Sequence, residues 1–195
     1  NWVLGVVWNG AGAGGGDWSA GASWVGGAVP TGTETAVFNA TSNGLNDPAG
    51  GVFVIPGSLI VQNTYTDNAA AITGTITVTD DVNFGGAAFN VTGTLIISGT
   101  GTSKFTGASV LTGGGTVRFN SPTTTTVNIQ SAATTLAVAL EIGDATNGTA
   151  LTLGTANELD VTSLQVGNAA QAASLDTGAN DATVDVHGGV TFLST

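Results

Sequence analysis

Apolar residues in this chain alternate with polar ones in short bursts. Val52-Phe-Val-Ile55 and Ser58-Leu-Ile-Val61 come first, then Gly74-Thr-Ile-Thr-Val78, Val82-Asn-Phe84 and Phe89-Asn-Val91. Gly93-Thr-Leu-Ile-Ile97, Lys104-Phe105, Val110-Leu111, Gly115-Thr-Val-Arg-Phe119, Val127-Asn-Ile129 and Leu136-Ala-Val138 continue the series. A period of two places the apolar side chains of each burst on one face of a strand. Gly, Thr, Asn and Asp separate the bursts, and Gly, Asn and Asp are turn formers. No segment holds a helical apolar period over three turns, so the only helical turn expected is one at Ala169–Ala173.

The phrase Gly-Thr-apolar-x-apolar begins at Gly74, again at Gly93 and again at Gly115, a period of about 20 residues. Leu140-Glu-Ile-Gly143 recurs one period later as Leu164-Gln-Val-Gly167, with Leu151-Thr-Leu-Gly154 between them. Val184-Asp-Val186 and Val190-Thr-Phe192 close the chain. Each interval holds about three short strands, too few to bury an apolar face alone, so successive intervals must stack. The expectation is an all-β, single-domain parallel β-helix (β-solenoid) with coils of ~19–24 residues. About seven rungs from Val52 would make a rod of roughly 35 Å at ~4.8 Å per strand. A β-sandwich is the alternative, disfavoured because its hairpin rhythm is nearer ~8–12 residues. No linker divides the chain, so one domain spans residues 1–195. Residues 1–50 form an N-terminal strand and cap, and residues 51–195 form the rungs.

The opening differs in character. Asn1-Trp-Val-Leu-Gly-Val-Val-Trp8 is apolar on both parities, which suits a strand buried on both sides or one donated to a neighbouring subunit. A turn-rich run, Gly10-Ala-Gly-Ala-Gly-Gly-Gly16, follows. Trp8, Trp18 and Trp24, with Phe38, are large enough to cover the open end of a first coil. Exposed Trp rings would instead suit sugar binding.

The order Trp8-Asn-Gly, Gly16-Asp-Trp-Ser19, Ser23-Trp-Val-Gly-Gly27, Pro30 and Thr35-Ala-Val-Phe38 resembles the opening of autotransporter-like passenger domains and related bacterial surface proteins with β-strand repeats. The resemblance extends only as far as Phe38; the later repeats share only its style. It implies a right-handed parallel β-helix exported to the cell surface.

Composition narrows the function. Charged residues are 8% of the chain, yet 42% is hydrophobic, which argues for a packed core rather than disorder. The formal charge is -11, with 13 acidic and 2 basic residues, and disfavours nucleic acid and anionic membrane surfaces as partners. With no Cys, thiolate metal sites and disulfides are excluded. No apolar run is long enough for a membrane helix. Scarce Lys, and the lack of both an initiator Met and a signal-type segment, give the expectation of an extracellular protein whose export signal has been removed.

Candidate chemistry is sparse. His187 is the single His, too little for a transition-metal site and a poor basis for a Ser-His-Asp triad. Asp80-Asp81, and Asp176 with Asp181, are weak candidates for Ca²⁺ if they lie in turns. Lys104 and Arg118 are the only bases for a polysaccharide-lyase chemistry, and Arg118 should point outward. Thr75, Thr77, Thr79 and Thr123–Thr126 suggest the flat Thr rows of ice binding, but the phrase does not recur on every rung. The expected function is a non-enzymatic, cofactor-free subunit that assembles head-to-tail into a surface fibre or layer. Its interface would join Trp2, Val3, Leu4, Val6, Val7 and Trp8 to Val190, Phe192 and Leu193. An adhesin stalk that binds a glycan or host surface is the alternative, and a polysaccharide-active enzyme ranks below it.

Overall fold

A computed structural model describes residues 5–9, 16–43, 48, 51–67, 71–85, 89–106, 109–129, 135–154, 158–177 and 182–193. The chain is a β-solenoid whose strands stack in parallel on three faces. The first face runs β1 (Gly5–Val7), β2 (Thr35–Phe38), β4 (Leu59–Val61), β7 (Val82–Phe84), β10 (Thr102–Phe105), β13 (Thr124–Ile129), β15 (Ala150–Leu153) and β17 (Ser174–Asp176). The second holds β5 (Ala71–Ile72), β8 (Phe89–Val91) and β11 (Ser109–Thr112). The third holds β3 (Val52–Ile55), β6 (Thr75–Val78), β9 (Thr94–Ile97) and β12 (Thr116–Phe119). Two long strands, β14 (Thr135–Ile142) and β16 (Leu159–Val166), serve both the second and third faces. The last coil splits again into β18 (Val184–Val186) and β19 (Val190–Phe192).

Counted from Val52, seven rungs stack on the third face, as expected, and they enclose six turns, the later of which are longer. The wider spacing shows in the pairing of Leu140 with Leu164 and of Leu164 with Val190. Ala169–Ala173 is not a helical turn. Asn168 and Gln171 close a tight turn by exchanging backbone hydrogen bonds of 2.9 and 3.1 Å. The described helical residues are two single 3₁₀ turns, Gly21–Ser23 and Ala40–Ser42.

The Gly-Thr phrase sets the third face. Thr75, Thr94 and Thr116 are direct register partners. The inward residues form two unbroken apolar columns. One is Phe53, Ile76, Leu95, Val117, Leu140, Leu164 and Val190; the other is Ile55, Val78, Ile97, Phe119, Ile142, Val166 and Phe192. In both columns the side chains between β6 and β16 are buried, and they form part of the core.

One position before the Thr, the same register aligns Gly51, Gly74, Gly93, Gly115, Val138, Thr162 and Gly188. Where this corner position is Gly, the chain turns sharply and the next coil lies against it. A Cβ on Gly115 would come 2.5 Å from Gly93 O and 2.6 Å from Val91 O. Where it is β-branched, as at Val138 and Thr162, the chain stays extended and two short strands fuse into β14 or β16. The residue type at one corner therefore decides whether a coil has three sides or two.

The N-terminal end is closed by the chain itself. Beyond β1, Val25 N donates to Val7 O at 2.8 Å and Asn9 N to Ser23 O at 2.9 Å, an antiparallel pairing of Trp8 with Trp24. This antiparallel bridge covers the outer edge at Val7 and Asn9, the C-terminal end of β1. The C-terminal end has no equivalent among the described residues: β17, β18 and β19 each pair on one side only.

Candidate functional site

Trp8, Trp18 and Trp24 are each at most 1% exposed, as is Phe38. Trp18 packs on Trp8, Trp24 and Phe38 at centroid separations of 5.8, 6.2 and 5.6 Å. Trp24 Nε1 donates to Trp18 O at 3.0 Å, and Ser42 Oγ to Trp8 O at 2.7 Å. Asp17 precedes the cluster; its carboxylate accepts from Ser19 N and Oγ, which hold its pKa below the usual carboxylate value. With no ring face open to solvent, none of these three Trp offers a platform for a sugar.

Asp80 and Asp81 do lie in a turn, between β6 and β7. Asp80 Oδ2 accepts from Ser58 Oγ at 2.9 Å. Asp81 is pushed above the usual carboxylate value, first by burial and then by the charge of Asp80, although the amides of Gly101 and Thr102 pull it down. Its Oδ1 is buried and has no hydrogen-bond partner. Asp176 lies exposed on β17, and Asp181 falls outside the described residues. Among the described residues no group of three or more His, Asp or Glu is placed to hold a metal ion.

His187 is 62% exposed at its side chain; its Nε2 lies 2.8 Å from Asp160 Oδ1 and 4.0 Å from Asp185 Oδ2. Carboxylates flank the ring. Arg118 points outward from its rung as expected. Its Nε and Nη2 both bind Glu141 Oε2, at 2.7 and 2.6 Å, on the next coil.

Lys104, by contrast, makes no ion pair among the described residues. It lies on the outer surface of the first face, in the row Ile60, Asn83, Lys104, Asn128 fixed by the register. Beside that row Gln62, Gly85 and Thr106 follow the three strands outward. A groove of about 460 Å³ lies there, lined by Ile60, Gln62, Asn63, Asn83, Gly85, Lys104 and Thr106 with part of Val61. No acidic residue lines it. Sequence reading missed this groove because Ile60, Asn83 and Lys104 meet only once successive coils are aligned in register.

The two ends differ from the expected interface. Trp2, Val3 and Leu4 fall outside the described residues. Val6 and Val7 are half-buried on β1, Trp8 is buried, and the outer edge of Val7 is taken by Val25. At the other end Val190, Phe192 and Leu193 are 49, 74 and 38% exposed. A further apolar edge went unnoticed in the sequence. β3 pairs with β6 on one side and with no described strand on the other, and its Val52 and Val54 are 77 and 50% exposed. The signal was the run Val52-Phe-Val, apolar on both parities.

The chain matches no protein-family model, no curated protein and no solved structure. No helix among the described residues is long and apolar enough to cross a membrane.

Proposed function

We propose that this chain is a structural building block of an extracellular surface fibre or layer, extended by end-to-end stacking of solenoid coils. The observation that carries the reading is the pair of apolar core columns that reach the surface at Val190 and Phe192. These are inward positions by register, yet they are largely exposed because no described coil covers them. Covering such a side chain contributes about 2 kcal/mol. Among the described residues β18 and β19 pair on one side only, and a strand edge of this kind can template a further strand. The acceptor is the edge of β3 that no described strand pairs, which continues the same face in the same strand direction. Contact between unlike ends of this kind propagates without closing. β1 has the Val7 end of its outer edge bridged to Val25 of its own chain, which makes it a poorer acceptor and moves the contact from the first strand to the third. The resemblance of the Trp-rich opening to exported passenger domains supports a cell-surface setting, as does the scarcity of Lys. No catalytic role is proposed.

The test is sedimentation velocity with electron microscopy on the chain and on Phe192→Asp, across a concentration series. The expected result is growth of elongated assemblies with concentration, abolished by Phe192→Asp and weakened by Val54→Lys at the opposite end. A chain that remains monomeric at all concentrations overturns the proposal.

A further inference from the structure

We infer that the groove on the first face binds a sugar carrying a single carboxylate, with Lys104 as the residue that selects the charge. The argument is independent of end-to-end stacking, since the groove lies on the flank of β4, β7 and β10, away from both ends.

Three observations converge. First, Lys104 is the one basic side chain without an ionic partner among the described residues, because Arg118 is paired with Glu141. In a chain of charge -11, a cation left unpaired beside a recess with no acidic lining is a local inversion of the surface field. The acidic pair Asp80-Asp81 is held elsewhere: Asp80 binds Ser58, and Asp81 accepts from the backbone of Gly101 and Thr102. Second, the rest of the lining is rich in amides and a hydroxyl. Asn83, Asn63 and Gln62 each supply both a donor and an acceptor, the pairing that a ring of hydroxyls requires. Third, Gly85 lines the recess without a side chain, and Ile60 supplies an apolar patch for the carbon face of a ring. A volume of about 460 Å³ lies in the range of small-molecule sites.

The net charge sets the limit on the ligand. A polyanion would meet one cation and the repulsion of the whole surface, whereas a neutral sugar would meet Lys104 only through hydroxyl hydrogen bonds, without charge pairing. One carboxylate among neutral hydroxyls is the chemistry that fits both the groove and the chain around it.

The probes are methyl β-glucuronide, methyl β-glucoside and acetate, titrated into ¹⁵N-labelled protein at matched ionic strength. The expected result is that the glucuronide shifts the amides of Asn83, Gly85 and Lys104, with an affinity at least roughly tenfold above that of the glucoside. Lys104→Gln should erase that difference, and Asn83→Ala should weaken both sugars while thermal melting stays unchanged. Equal binding of glucuronide and glucoside would overturn the role of Lys104. Acetate binding as tightly as the glucuronide would overturn the sugar. The absence of shifts at these amides with every probe would overturn the site.

Discussion

The corner column makes a sharp demand on Gly115. Its amide donates to Val91 O at 2.7 Å, and the amide of Thr116 donates to Gly93 O at 2.9 Å, so two adjacent bonds clamp this corner to the coil before it. A Cβ at Gly115 would stand 2.5 Å from Gly93 O, 2.6 Å from Val91 O and 2.9 Å from Thr92 C. All three are backbone atoms and cannot rotate away as a flexible side chain would. Gly115→Ala must therefore part the two coils. Overpacking costs about 1–3 kcal/mol, and loosening two backbone hydrogen bonds adds about 1 kcal/mol each. A total of about 3–5 kcal/mol corresponds to a fall in melting temperature of roughly 10 °C for a chain of this length. Gly189→Ala is the matched control: nothing lies within 4 Å of its Cβ, and its φ is not positive. Its effect should stay within about 1 kcal/mol, on the stabilising side. Both variants are to be melted by far-ultraviolet circular dichroism. If they melt within about 2 °C of each other, close packing at the corner is not what places glycine there.

Two further outcomes follow from the site geometry. Asp81 is held above the usual carboxylate value, so its ionised form is disfavoured in the fold relative to the unfolded chain, and the resulting penalty sets in as pH rises from the unfolded value through the raised one. Asp81→Asn should therefore raise the melting temperature at about pH 7 and leave it unchanged near about pH 3, where the carboxyl is mostly protonated in both states; an equal shift at both pH values would refute the electrostatic cause. Trp18→Ala removes a fully buried ring from the N-terminal cluster and should cost ~3–5 kcal/mol in chemical denaturation, with a loss under ~1 kcal/mol counting against a capping role.

Much of the third face could be read in advance. The steps from Gly74 to Gly93 and from Gly93 to Gly115 are the register shifts themselves, since the phrase marks the same corner in three consecutive coils. Alternation also placed the inward residues of β6, β9 and β12 correctly, because a buried column tolerates only apolar side chains of similar size. The fusion of strands at β14 and β16 was harder to see. Val138 and Thr162 look like ordinary members of an alternating burst, and their meaning depends on standing where other coils have glycine. The groove around Lys104 was illegible for a related reason: its chemistry is assembled from residues on three separate coils, each ordinary in its own burst. The edge of β3 that no described strand pairs follows from the order of the stack, a property of the stack rather than of Val52 or Val54.

The unequal ends also give the rod a mechanical polarity. Each coil is held by its neighbours alone, so tension applied at Phe192 would peel the last coil first. Failure would then travel toward the aromatic cluster one coil at a time. The last coil, from Leu164 to its register partner Val190, drawn out at ~3.3 Å per residue releases roughly 85 Å of slack, while the remaining coils stay folded. Anchored by the opposite end, such a rod would lengthen under load in steps and keep its Trp-sealed base until last.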